Sequence, residues 1–302
     1  DIKGLWQVIN TKRCNKLNTL TNTNAEHLNT FFTSVFIDDL TDIHVNNDTP
    51  NDWNLSLTVD DVALAILKSK TKGMGSDMLP LKLLKYAVDV LSPPICHIWN
   101  TSLIQATFPD IWKIGKISPI PKCKNPTIND YRPITNLPSI SKIFERLVLD
   151  SISPVLLPNY GLNQFGFRRD SNTSCAVISI IDDVTAALEN KDVCGVSLIS
   201  LDASKAFDRV SHQLLIDKIS QSNIPKHFTK WYSSYLTNRQ QFVNFNNINS
   251  SITKVTSGVA QGAILSPSMF CVFMSSVSTK HDRNKLFKYA DDVIPHDCSS
   301  KS

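Results

Sequence analysis

Three aspartates carry the strongest chemical signal in this chain of 302 residues. Asp202 ends the apolar run 193–201, and Asp291 and Asp292 follow the strand-like segment 285–290. A carboxylate at a strand end and a pair on a turn between strands can be aimed at one place. Two Mg2+ ions need hard oxygen ligands and usually share them with substrate phosphates, so one acid cannot hold both and a second source is required. Between the two acidic points lies Ser257-Gly258-Val259-Ala260-Gln261-Gly262-Ala263-Ile264-Leu265-Ser266-Pro267. Its glycines let backbone approach a ligand closely, and Gln261 offers both a donor and an acceptor. Singly, each piece has a plainer reading. Asp-Asp is common in solvated turns, and a strand-end Asp often serves as a cap or an ion-pair partner. Their joint occurrence favours metal-dependent phosphate chemistry.

The elements that must position these residues mix strands and helices without βαβ repetition, which predicts an α+β fold. Residues 1–57 are polar and rich in Asn and Thr, with one amphipathic helix expected around 28–36. Thr58 caps a predicted helix that ends near Lys70, ahead of Gly73 and Gly75. Helix is predicted over 80–103 with a break at Pro93-Pro94, over 139–155 and from Thr173 to just before Lys191. A strand is predicted over 112–120, and 193–201 reads as a buried strand. Helices over 211–220 and 228–236, a hairpin of 241–245 with 252–255, a helix over 263–277 and the strand 285–290 complete the pattern. Val293 can start a return strand, which Pro295 is expected to interrupt. The expected organisation is a lead-in over 1–57, one unit over 58–192 and a second over 193–302.

Composition narrows the function classes. The hydrophobic fraction of 42% is that of an ordinary globular protein, and 31 basic against 27 acidic residues give a net charge of only +4. The basic residues Lys113, Lys116, Lys122, Lys124, Arg132, Lys142 and Arg146 cluster against Asp130 and Glu145 alone. That stretch suits phosphates or a solvated surface. Seven cysteines, an odd number with no CxxC pair, argue against a disulfide framework or structural zinc and fit a reducing intracellular compartment. The most apolar stretch, 258–277, holds Gln261, Pro267 and several serines and does not read as membrane-spanning.

With the motifs in order, the sequence resembles the reverse transcriptases. Asp202-Ala-Ser-Lys-Ala-Phe-Asp208 is similar to their first catalytic motif, 258–267 to the second, and Tyr289-Ala-Asp-Asp292 to the YxDD box. The longer Asp202-to-His212 form resembles the non-long-terminal-repeat (LINE-like) retrotransposon version. Trp112-Lys113, Pro119-Ile-Pro-Lys122, Asp130-Tyr-Arg132-Pro-Ile134, Gln164-Phe-Gly-Phe-Arg168 and Lys72-Gly73-Met74-Gly75-Ser76-Asp77 resemble that family's upstream motifs. The resemblance spans about 57–293. The second motif departs from the family at Ala260, usually Pro, and at Ala263, usually Ser.

The resemblance implies the fingers and palm of a right-handed polymerase, the palm an antiparallel sheet packed by helices. Only ten residues follow Asp292, so the thumb is expected to be absent from this chain. It implies an RNA-directed DNA polymerase that adds deoxynucleotides to a primer 3′ end. Asp202, Asp291 and Asp292 would bind two Mg2+ ions, with Mn2+ as a substitute. Lys122 and Arg132 would hold the triphosphate, Phe207 would lie under the sugar, and Gln261 and Gly262 would line the nucleotide pocket. Asp208 suits loop orientation as well as metal contact, His212 suits an early-helix role, and Arg168 and Arg169 suit template contact or surface equally. The implied partners are an RNA template, a DNA primer and deoxynucleoside triphosphates, with no membrane, in the cytoplasm and nucleus. The alternative is a catalytically inactive retrotransposon relic that at most binds nucleic acid.

Overall fold

A computed structural model of the chain describes residues 23–37, 52–70, 73–161, 163–280 and 284–300. Most of the expected lead-in, Lys72 and the side chain of Cys298 lie outside the described residues. The fold is α+β, built on two sheets and a helical core.

Helix α1 (Ala25–Thr33) begins at Asn24, whose side chain accepts from the His27 N–H. Helix α2 (Val59–Lys68) starts where Thr58 predicted, in a reciprocal cap with Asp61. Helices α3 (Leu81–Tyr86) and α4 (Val88–Gln105) break at Ala87 rather than at the prolines, and Pro93 and Pro94 lie inside α4. The carbonyls they leave without helical donors belong to Asp89 and Val90, both exposed to water, while the Ser92 hydroxyl donates to the Val88 carbonyl at 2.7 Å. The buried face through Ile95, Trp99 and Leu103 therefore continues unbroken.

Strand β1 (Ile114–Pro121) pairs antiparallel with β2 (Tyr131–Asn136), and helix α5 (Ser139–Leu156) follows. Helix α6 (Thr173–Glu189) leads into β3 (Val193–Leu198) and β4 (Leu201–Asp202). The predicted buried strand 193–201 is thus split, and much of it is exposed, with Leu198, Ile199 and Leu201 each about half accessible to solvent. Helices α7 (His212–Ser220) and α8 (Lys226–Leu236) come next. Strand β5 (Gln240–Phe245) pairs with both β6 (Ile248–Asn249) and β7 (Thr253–Lys254), a fuller arrangement than the hairpin expected. Helix α9 (Ser266–Phe273) is shorter than 263–277, because its first helical turn begins only after the glycine-containing loop.

Strands β8 (Lys285–Tyr289) and β9 (Asp292–Ser300) close the chain. The return strand does not stop at Pro295. The Pro295 carbonyl accepts from the Ile199 N–H at 3.2 Å. Its missing N–H lies on that same side, at the gap between β3 and β4, where the ladder is already interrupted. The rest of β9, from His296 on, pairs with β3.

One sheet has the order β2-β1-β5-β6, with β5 parallel to β1. The other has the order β3-β9-β4 with β8 on β9, all antiparallel, as expected of a palm. The main core is aromatic and joins α4, α5 and α8: Trp99 stacks on Phe144 at 5.1 Å, and Phe144 meets Trp231 edge-on at 5.6 Å. A smaller cluster lies where Leu28 and Phe32 of α1 cover Ile117 and Val243 of the first sheet.

Candidate active site

The aspartates are brought together by strand register. Asp202 is directly opposite Asp292 in the β4–β9 ladder, and Tyr289 is opposite Asp292 in the β8–β9 hairpin, which leaves Ala290-Asp291 as a two-residue turn. Ala290 has φ +57°, a left-handed conformation that costs about 1 kcal/mol for a residue with a Cβ. The loop carrying Gln164 braces it. The Gln164 Oε1 accepts from the N–H of Ala290 at 3.1 Å and of Gly166 at 2.9 Å. Phe165 donates to the Lys288 carbonyl, and Lys288 to that of Asn163, each at 2.8 Å. A Cβ on Gly166 would stand 2.4 Å from the Ala290 nitrogen, so only glycine fits there.

A cleft of about 480 Å3 opens over this edge. Its walls include Lys122, Arg132, Asp202, Phe207, Gln261 and Asp291, drawn from the loop just after β1, from β2 and β4, from the two motif loops and from the hairpin turn. Asp292, the first residue of β9, is paired with Asp202 on one side and Tyr289 on the other and is not among the residues lining the cleft. Gly262 is set back, with φ +117° and a hypothetical Cβ 2.7 Å from the Thr135 carbonyl oxygen, so it serves the junction with β2. Two carboxylates directly opposite on adjacent strands repel unless something positive joins them. Among the described residues no ion pair involves Asp202, Asp291 or Asp292. Hard oxygen donors in that state suit a divalent cation that completes its shell with phosphate and water. Among the described residues no group of three or more acids, histidines or cysteines is already gathered tightly enough to hold a metal alone.

The first two motifs are laced together. Gly258 donates to the Val210 carbonyl at 2.7 Å and Val259 to that of Phe207 at 2.8 Å. The Gln261 amide donates to both oxygens of Asp208, at 2.9 and 3.0 Å. Partial burial pushes the Asp208 carboxyl above its ordinary pKa, while the Gln261 hydrogen bond and the Lys205 charge oppose that shift. Asp208 therefore orients the loop. His212 is buried at the start of α7, its Nε2 2.7 Å from the Gly258 carbonyl oxygen. Because a carbonyl only accepts, this nitrogen carries the proton, and His212 acts as a tie between the motifs. The ring of Phe207 stacks on Phe270 of α9 at 4.3 Å. Arg168 donates to the Gly161 carbonyl at 3.1 Å, and Arg169 is exposed.

Glu145 stands out in the sequence only as one of two acids in a basic stretch, with no role assigned to it. It is fully buried in α5 and accepts from the N–H groups of Ile264 and Leu265, at 2.7 and 3.3 Å, and from the Ser141 hydroxyl at 3.2 Å. It thus caps the loop that enters α9 from outside that helix. Burial pushes its pKa up, opposed first by the charge of Arg239. The signal was present: Glu145 sits between Phe144 and Val148, on the apolar stripe of a helix.

Residues 120–301 match the family model described as reverse transcriptase (RNA-dependent DNA polymerase). The chain belongs to that family. Its likeness is to the non-long-terminal-repeat retrotransposon branch. It is 32% identical over 237 residues to the probable RNA-directed DNA polymerase from transposon X-element of Drosophila melanogaster, covering 76% of this chain and 26% of that protein. It is likewise 32% identical over 232 residues to the RNA-directed DNA polymerase from mobile element jockey of the same fly, covering 74% and 25%. The chain therefore spans about a quarter of the length of these relatives. Telomerase from Candida albicans in complex with a telomeric RNA fragment aligns at a TM-score of 0.44 and 13% identity, over 63% of this chain and 39% of that one. Among the described residues no helix is long and apolar enough to cross a membrane.

Proposed function

We propose that the cleft is the nucleotidyl-transfer site of an RNA-directed DNA polymerase, which adds deoxynucleotides to a primer 3′ end opposite an RNA template. The observation that carries this reading is the charge layout of one cleft. Asp202 and Asp291 line it together with Lys122 and Arg132. Such a layout suits a nucleoside triphosphate accompanied by divalent cations.

Asp202, Asp291 and Asp292 would hold two Mg2+ ions, or Mn2+ in their place. When bound, the ions neutralise phosphate charge and make the primer hydroxyl a better nucleophile. Lys122 and Arg132 bind and orient the triphosphate oxygens. Phe207, fixed by its stack on Phe270, presents a ring edge beneath the sugar and disfavours a 2′-hydroxyl. Gln261, tied to Asp208, keeps the loop over the base-pair position. Base pairing selects the nucleotide, so the hybrid is gripped through its backbone. Such a protein would work in the cytoplasm and nucleus.

The test is extension of oligo(dT) on poly(rA) by the 302-residue chain with dTTP and Mg2+. Nucleotide addition that needs the divalent ion and disappears in Asp291→Ala supports the reading. Addition that survives Asp291→Ala, or that proceeds in EDTA, would overturn it.

A further inference from the structure

Lys205 is the residue of the cleft that the motif roles leave without a task. It lines the same wall space as Lys122, Arg132 and Asp291. Its backbone is left-handed, with φ +56°, in the turn before the short helical segment Ala206–Arg209. A lysine does not adopt that conformation readily, so the surroundings hold it there. Its ammonium sits 3.6 Å from the centroid of the Phe31 ring. Phe31 belongs to α1, which lies outside the family-matched residues 120–301.

Helix α1 is firmly seated. The Asn29 amide donates to the Ser251 carbonyl at 2.9 Å, and Glu26 accepts from the Ser251 N–H at 2.8 Å. The chain leaving α1 is tied to the motif crossing: Ile37 N–H donates to the Ser257 hydroxyl, which donates to the Asp208 carbonyl, each at 2.9 Å. Phe32 and Val35 reach the cleft wall. Lys205, Lys122 and Arg132 form no ion pair among the described residues. Burial draws the Lys205 pKa down, and the neighbouring charges of Lys122 and Arg209 push the same way, against Asp208. Three cations share one cleft without a direct ion pair among the described residues, although Asp202, Asp208 and Asp291 line it too, and the phosphates of a bound polyanion would meet all three.

We infer that α1 is part of the nucleotide site: Phe31 positions Lys205 as a third cation for the phosphates of the incoming nucleoside triphosphate. This rests on the nucleotidyl-transfer reading above. The ring favours the ammonium form and holds the long side chain in the cleft, so less freedom is lost when phosphate arrives. Lys205 is then the binding residue and Phe31 a positioning residue that acts through it.

Calorimetric titration of the 302-residue chain with dTTP, and separately with dTMP, in the presence of Mg2+ tests this. Lys205→Met is expected to weaken dTTP binding about tenfold and to leave dTMP unchanged, because the charge meets the phosphates that dTMP lacks. Lys205→Arg should keep most of the affinity. Phe31→Leu should weaken dTTP about threefold, Phe31→Tyr should restore it, and Phe31→Leu should add nothing in the Lys205→Met background. If Lys205→Met binds dTTP like the parent while Lys122→Met and Arg132→Met do not, the inference fails and the nucleotide reading stands. If the Phe31→Leu effect persists undiminished without Lys205, the positioning role fails. If the parent chain binds neither nucleotide, the nucleotide reading falls and the inference with it.

Discussion

At one end of the segment 202–208, Asp202 stands at an exposed strand end opposite Asp292. At the other end Asp208 is half-buried, and both of its oxygens accept hydrogen bonds from Gln261. The two carboxylates come from one motif and one loop, yet their surroundings divide the work. Asp208 has its hydrogen-bonding capacity met by the protein and holds two motifs at fixed distance. Asp202 and Asp291 line the cleft, and neither forms an ion pair among the described residues. A carboxylate that must take a ligand cannot already be satisfied, and one that must fix a loop cannot be left free. The fold thus keeps a rigid crossing beside an open, charged edge.

The contrast is broken most sharply at the hairpin. Asp291→Ala should remove nucleotide addition by about a thousandfold or more, equivalent to several kcal/mol of transition-state stabilisation. Its melting temperature should stay within about 1 °C of the parent, because the half-buried Asp291 side chain forms no ion pair among the described residues. A large loss of stability in thermal melts would move Asp291 from the ligand-taking group to the structural one.

Glu145 belongs with Asp208 among the satisfied carboxylates, at greater depth. Glu145→Ala leaves the buried N–H groups of Ile264 and Leu265 without their acceptor and should cost about 3 kcal/mol by denaturant titration. Glu145→Gln keeps an acceptor oxygen and should recover most of that loss. Equal destabilisation by both changes would show that the charge, rather than the acceptor, is what the loop requires.

The tie between motifs is tested more gently at His212. Replacement by Phe keeps the volume and removes the bond to the Gly258 carbonyl, with an expected cost of about 1–2 kcal/mol. Because that bond sets the motif crossing, the dTTP dependence of any nucleotide addition should shift with it.

The smallest effect is expected from titration of Asp208. Its folded pKa is raised above the ordinary value of 3.8, so its favourable contribution is complete below that value. That contribution is lost as pH rises through the raised folded value. Asp208→Asn lacks this titration and keeps an acceptor for Gln261. Its melting temperature relative to the parent should therefore rise across that window by about 1–3 °C. A difference that falls or stays flat over the same window would contradict the assigned direction.

Much of this division was legible in order and spacing. Thr58 announced α2 because a capping hydroxyl acts over three residues, and Asp202, Asp291 and Asp292 stood out because strand ends and tight turns are local events. Pro93-Pro94 and Pro295 misled for the same reason. Each is a strong local breaker, and each was overridden, by a continuous buried face in α4 and by the gap between β3 and β4 along β9. The buried reading of 193–201 failed because apolar composition does not tell which face of a sheet is covered.

The sequence by itself determined the chemical types on offer: acids at a strand end and a hairpin turn, cations upstream, an aromatic and an amide between them. It also determined family membership, since residues 120–301, which hold the motifs from Lys122 to Asp292, match the reverse transcriptase family model. Tertiary structure alone decided that Asp202 faces Asp292, that Asp208 rather than Asp202 meets Gln261, that Glu145 holds the loop before α9, and that Phe31 meets Lys205. The physical reason is separation along the chain. Hydrogen bonds and charge contacts act over a few ångströms, and the partners in these pairs are joined only when sheet register and helix packing fold distant segments onto one another.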